Sequence, residues 1–240
     1  MAEPTELTEP TRPHHQNGGM DALPTTDRTT VTRLPYRQVH DRRVLHEILD
    51  AGLIAHVGVV RNGVPVILPV GYARDGDSLL LHGSTGGGLL RQAAAGAPVT
   101  VTVTLLDGLV YARSLFDSSM NYRCAMVIGT ATPVAGPDKL AALRMLSEHL
   151  MPGRWDEVRE PTKRELAATL VLRLPLAEAS VKLRAAGAEG EPDDGESREV
   201  WAGVLPLRTV AGEPEPDPDV PTRTQVPHSV KTARRRHLGA

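Results

Sequence analysis

The residues best suited to hold a ligand fall in one short run. From 81 to 91 the chain reads Leu-His-Gly-Ser-Thr-Gly-Gly-Gly-Leu-Leu-Arg. An apolar strand ends at His82, glycines and hydroxyls follow, and a helix-forming stretch begins. Backbone N–H groups at such a passage lack chain partners and carry partial positive charge, so they suit a phosphate. Ser84 and Thr85 add donors, and Arg91 can neutralise charge bidentately. The imidazole of His82 can donate a hydrogen bond or a proton at neutral pH. The run has neither G-x-G-x-x-G nor a Gly-Lys-Ser/Thr ending. On its own it also reads as a surface loop.

Two further segments carry polar chemistry. Asn121, Tyr122 and Arg123 follow Ser118-Ser119-Met120 and offer amide, phenol and guanidinium groups to a heteroaromatic ring or its polyol chain. The alternative is a solvated strand entrance. Lys182 and Arg184 share one strand face, and Trp201 stands beyond an acidic loop where apolar residues are sparse. An exposed strand face and plain packing are the competing explanations. No metal site is expected, because the histidines lack ligand spacing. His56 reads as a strand residue with a satisfied hydrogen bond, and Cys124 as an inert strand thiol.

These residues need elements to position them. Residues 41–51 place Val44, Leu45, Ile48 and Leu49 on one helical face, with Asp41 as N-cap and Gly52 as stop. Apolar runs at 53–60 and 64–73 flank Arg61-Asn62-Gly63, and Asn-Gly between such runs signals a type I′ hairpin. Strands are expected at 78–81, 98–106, 109–115 and 121–134, and a final strand or pair at 169–183, interrupted near Pro175. Helices are expected at 87–95, at 137–150 and at 162–168, the last with a Thr162/Glu165 capping box. About six antiparallel strands with peripheral helices make a mainly β barrel or sandwich. Residues 1–30 read as a disordered leader, 31–210 as the folded domain, and 211–240 as a disordered acidic, proline-rich and then basic tail.

Composition narrows the classes. The 240 residues are 40% hydrophobic but only 3% aromatic, so the core must come from Val, Leu, Ile and Ala. A formal charge of −2 gives no global pull toward nucleic acid or membrane. The single cysteine allows no internal disulfide, no apolar run approaches the roughly 20 residues of a spanning helix, and the acidic start is unlike a secretory signal. A cytoplasmic protein is expected.

The order of motifs resembles one family. Gly63-x-Pro65 with Pro69, His82-Gly83 and the Gly/Ser loop come first. Ser119-x-Asn121-Tyr122-Arg123, Gly129-x-Ala131, a long helix, and Glu165 with Thr169 follow. Lys182-x-Arg184 and Trp201-x-Gly203-x-x-Pro206 complete a pattern similar to the pyridoxamine 5′-phosphate oxidase-like FMN-binding proteins. The nearest subgroup is the nitroimidazole-resistance and flavin-nucleotide-binding one, over about 33–207. The resemblance implies a six-stranded split barrel that forms a homodimer, with FMN in clefts between subunits. It puts the phosphate near Ser84, Thr85 and Arg91, and the ring and ribityl chain along Val66, Leu68, Pro69 and Val70 and near Asn121, Tyr122 and Arg123. Lys182 and Trp201 would come from the partner side or a lid. His82 matches a histidine beside the flavin and is the expected catalytic residue. The implied activity is reduction of a small nitroaromatic- or quinone-like acceptor with electrons from NAD(P)H. The Arg-x-His substrate signature of the oxidase proper is missing, so oxidation of pyridoxamine phosphate is not implied. A non-catalytic flavin carrier, or a split barrel holding heme or a deazaflavin, are the alternatives.

Overall fold

The computed structural model describes residues 21–188 and 197–237. The helix read from Asp41 is α1 (Arg42–Ala51), whose cap accepts the Arg43 N–H through its carboxylate. It buries Leu45, Ile48 and Leu49 completely, each worth about 2 kcal/mol in apolar surface removed from water. Before it lies the two-residue strand β1 (Gln38–Val39). The Asn-Gly hairpin joins β2 (Ile54–Arg61) to β3 (Val64–Asp75). Asn62 and Gly63 take φ values of 51° and 78°, as a type I′ turn requires.

Strand β4 (Ser78–Ser84) leads through the glycine-rich loop into α2 (Gly88–Ala94). Strands β5 (Pro98–Tyr111) and β6 (Ser119–Thr130) form the longest pair. Two separate runs were expected at 98–106 and 109–115. They are one strand, bent by a register shift between Leu106 and Gly108. After the short β7 (Thr132–Pro133) come α3 (Gly136–Leu150), α4 (Lys163–Ala168), β8 (Thr169–Pro175), β9 (Ala179–Arg184) and β10 (Gly203–Pro206).

The sheet runs β1-β9-β6-β5-β2-β3-β4-β8-β7, with β10 added to β5. The described strands thus number ten where six were expected. The additions are mostly pieces of two to four residues, too short to show a period. The sheet rolls up until β6 meets β8 without pairing to it: a Cβ on Gly129 would stand 3.1 Å from Leu174. Inside lie Leu45, Val57, Tyr72, Leu81, Val101 and Leu174. A second cluster, Ala73, Leu80 and Val171 with Ala142 and Leu146, fastens α3 outside β3, β4 and β8. No described helix is long and apolar enough to cross a membrane.

Both expected tails need correction. Residues 1–20 lie outside the described residues, but 21–30 are docked. Leu23 is buried, and Thr26 and Arg28 bond Glu178. At the other end, α5 (His228–Arg236) packs on the domain. Arg236 donates to His149 O and Asp50 O, at the C-terminal ends of α3 and α1, and Ser229 holds Glu157. Carbonyls at helix ends lack partners and draw a cation. This segment folds through such polar contacts, which hydrophobic periodicity does not register.

Candidate functional site

The expected phosphate loop is a cleft of about 320 Å³ between β3 and α2. Leu68, Pro69, Val70 and Gly71 form one wall; His82–Ser84 and Gly87–Leu90 form the other. Gly83 lets the two sides close, since a Cβ there would stand 2.5 Å from Leu90 Cδ1. The N–H groups of Gly88, Leu89 and Leu90 precede the first intrahelical bond, which runs from Arg91 N to Gly87 O. They have no chain partner among the described residues. The Ser84 hydroxyl accepts Gly86 N–H and keeps its proton for a ligand.

Two expected phosphate ligands are placed otherwise. Thr85 turns both its N–H and its hydroxyl onto Ala168 O, tying the loop to α4. Arg91 lies exposed on α2 and does not line the cleft. The cation at the loop is Arg61, the last residue of β2, whose Nη1 is 3.5 Å from where a Gly88 Cβ would be. It makes no ion pair among the described residues. Sequence reasoning passed over Arg61 as a hairpin flank; the pairing of β2 beside β3 is the signal that would have found it. Val66 is turned toward the core, half-buried, and is not part of this cleft.

His82 also lines a second cleft, of about 490 Å³, between the sheet, α3 and α4. Its other walls are Leu143, Trp155, Val158, Pro161 and Leu166, with Arg159, Glu165 and Thr169. Trp155 and Arg159 went unnoticed in sequence because they sit in the irregular stretch before α4. Arg159 pairs bidentately with Glu165 at 2.6 and 2.8 Å. The expected Thr162 capping box is present. The Arg159 guanidinium and the Thr162 N–H and hydroxyl together hold the Glu165 carboxyl down to about 2. The Nδ1 atom of His82 is buried without a hydrogen-bond partner. Glu148 Oε1, Arg184 Nε and Arg234 Nε share that state among the described residues, but of the four residues only His82 lines these clefts.

The remaining expected ligands sit elsewhere. On β6, Asn121 binds Arg184 and Ala186 O. Tyr122 is half-buried opposite Leu106 and Arg184. Arg123 forms a two-pronged ion pair with Asp107 at 2.7 and 3.0 Å, which raises its pKa. Lys182 on β9 donates to Arg33 O at 3.3 Å. Trp201 is 67% exposed, its ring 5.9 Å from that of Tyr111. None of these residues lines either cleft beside His82. The side chain of His56, expected to be satisfied, is exposed on β2 with no hydrogen bond among the described residues. Cys124 is half-buried and meets only the Thr104 hydroxyl at 3.5 Å.

Residues 41–183 match the family described as Pyridoxamine 5′-phosphate oxidase. The chain belongs to that family. This family member is 42% identical to an FAD and heme binding protein from Mycobacterium smegmatis, over 82% of its own chain and 97% of the other, with a TM-score of 0.78. It is 36% identical to a flavocytochrome from Azotobacter vinelandii, over 89% and 98% of the two chains, with a TM-score of 0.81. A protein from Bacteroides thetaiotaomicron named for 5-nitroimidazole antibiotic resistance shares the fold at 20% identity, over 60% and 85%, with a TM-score of 0.52. Among curated proteins none matches. The family's split barrel, mainly antiparallel with a few peripheral helices, is thus the fold of this chain.

Proposed function

We propose that this chain is a flavin-dependent oxidoreductase that carries a heme beside its flavin. The observation that carries the proposal is the pair of relatives at 42% and 36% identity, one named for FAD and heme and the other as a flavocytochrome. The site fits a flavin. Three free N–H groups, the Ser84 hydroxyl and Arg61 stand at one end of the cleft for a phosphate or pyrophosphate. Leu68, Pro69 and Gly71 offer a low apolar floor for a ring. When bound, the flavin supplies hydride and one-electron chemistry; the chain binds it, orients it and shields it from water. The phosphate donors suit FMN or FAD, and with a relative named for FAD the expectation of FMN alone is widened to either flavin.

The active form in this proposal is a homodimer. The outer face of the β2–β3 hairpin exposes Ile54, Val60 and Ile67, and the β5–β6 end exposes Leu115 and Phe116, both above 90%. Exposed apolar groups on this scale mark an interface. A two-fold pairing of the two patches would bring a partner's β5–β6 end toward the flavin cleft. Electrons would pass from a reduced nicotinamide through the flavin to a small nitroaromatic- or quinone-like acceptor, or to the heme.

The test is the absorption spectrum of the purified chain, the flavin released on denaturation, and light scattering. A yellow dimer that NADPH or NADH bleaches without air is expected. A colourless chain that takes up neither FMN nor FAD overturns the proposal.

A further inference from the structure

We infer that the heme sits in the cleft between the sheet, α3 and α4, with His82 as the axial ligand to its iron. The inference rests on the flavin-and-heme proposal above and adds the seat and the ligand.

The donor set points there. Among the described residues no group of three or more His, Cys, Asp or Glu could hold a bare metal ion. A metal that brings four equatorial nitrogens in a macrocycle needs only one or two axial donors, and a lone imidazole fits that need. The other described histidines fall away one by one. His40 meets Thr25, His46 meets Asp77, and His228 meets Thr232. His149 meets Gly52 O at 2.7 Å and packs on Tyr72, ring centroids 5.2 Å apart. His56 is exposed and lines neither cleft beside His82. His237 caps the C-terminal end of α5, half-buried, and lines neither cleft. Among the described histidines, His82 alone has a buried ring nitrogen without a partner and a cavity beside it.

The cleft suits the rest of the molecule. Its volume of about 490 Å³ lies within the rough 300–1,000 Å³ of small-molecule sites. Five of its walls are apolar, and Trp155 offers a flat face for a macrocycle. Arg159 stands at the solvent edge, its side chain 67% exposed, where an acidic substituent of the ring would emerge. Its pair with Glu165 leaves guanidinium donors for a second carboxylate. His82 lines both clefts, so the arrangement sets the heme next to the flavin with one imidazole between them. An iron-bound imidazole nitrogen carries no proton, so this role replaces the proton donor expected from sequence.

The test is a hemin titration of the purified flavoprotein, read by the Soret band. One hemin per chain is expected, with a band shifted from that of free hemin. His82→Ala should weaken hemin binding at least about tenfold, and added imidazole should restore the shifted band to His82→Gly. Leu143→Trp, which fills the cleft and keeps the His82 side chain, should also block hemin. Unchanged Soret position and affinity in His82→Ala, or unchanged affinity in Leu143→Trp, overturns the inference. A yellow protein that ignores hemin removes the heme seat and leaves flavin binding standing. A colourless protein with a shifted Soret band removes the flavin instead.

Discussion

The β4–α2 end of the barrel and the β6–β9 end carry the same kinds of residues, yet they differ in what those residues already hold. At the β6–β9 end every expected ligand except Tyr122 and Trp201 has a bonded partner in its own chain: Asn121 with Arg184, Arg123 with Asp107, Lys182 with Arg33 O. At the β4–α2 end the N–H groups of Gly88, Leu89 and Leu90, the Arg61 guanidinium and the His82 ring have none among the described residues. A ligand at the first end would have to displace bonds that these side chains already make. At the second it would supply bonds that are missing. Residue type does not separate a binding site from a structural one; unmet hydrogen-bonding capacity beside an open cleft does.

The sharpest way to break that contrast is at Arg184. It is 4% exposed and donates to Asn121 Oδ1 at 2.6 Å, Ala186 O at 3.2 Å and Gly187 O at 3.1 Å. Arg184→Ala leaves the Asn121 amide and two carbonyls without that donor and opens a hole. We expect a loss of about 3 kcal/mol in chemical denaturation, with flavin content per folded chain unchanged. Lost flavin at unchanged stability would make this end the binding one.

The next test separates two arginines at the other end. Arg61→Ala should weaken flavin binding by about 1.5–3 kcal/mol, roughly ten- to a hundredfold, because a charge-assisted contact to phosphate is removed. Arg91→Ala, on the exposed face of α2, should stay within about twofold of the parent. Fluorescence titration of the apoprotein with FMN and FAD reads both. The reverse order would move the phosphate to the outer side of α2.

The sequence carried the elements well where local chemistry decides them. Asp41 as cap, Asn62-Gly63 as turn, the Thr162/Glu165 box and the break at Pro175 all stand where they were read, because each is fixed by residues within four positions. Motif order pointed to Leu68, Pro69, Val70 and the glycine loop, and these line one cleft. Motif order did not point to Arg61, Trp155 and Arg159, because they reach the two clefts through strand pairing and an irregular loop. Thr85 was read from its type as a phosphate donor; in the fold its N–H and hydroxyl bond Ala168 O. The docking of 211–237 was hidden because polar contacts to helix ends leave no period in the sequence.

The smallest expected effect concerns Glu165, which borders the second cleft yet is itself satisfied. The contrast between met and unmet groups therefore makes it structural. Its folded pKa, about 2, lies below the roughly 4.3 of an unfolded glutamate. A carboxylate with a depressed pKa adds stability that is fully present above the unfolded value and is lost as pH falls toward the folded one. The parent should therefore melt slightly above Glu165→Gln at pH 7, and the gap should narrow between about pH 4.5 and 2. The carboxylate is exposed, so salt should shrink the gap as well. Flavin content of Glu165→Gln should match the parent at pH 7, because the residue does not line the flavin cleft. A melting gap that holds constant from pH 7 to 3 would show that the Arg159 pair and the Thr162 cap do not set the stability of α4. A loss of flavin would carry the binding site past His82 into the second cleft.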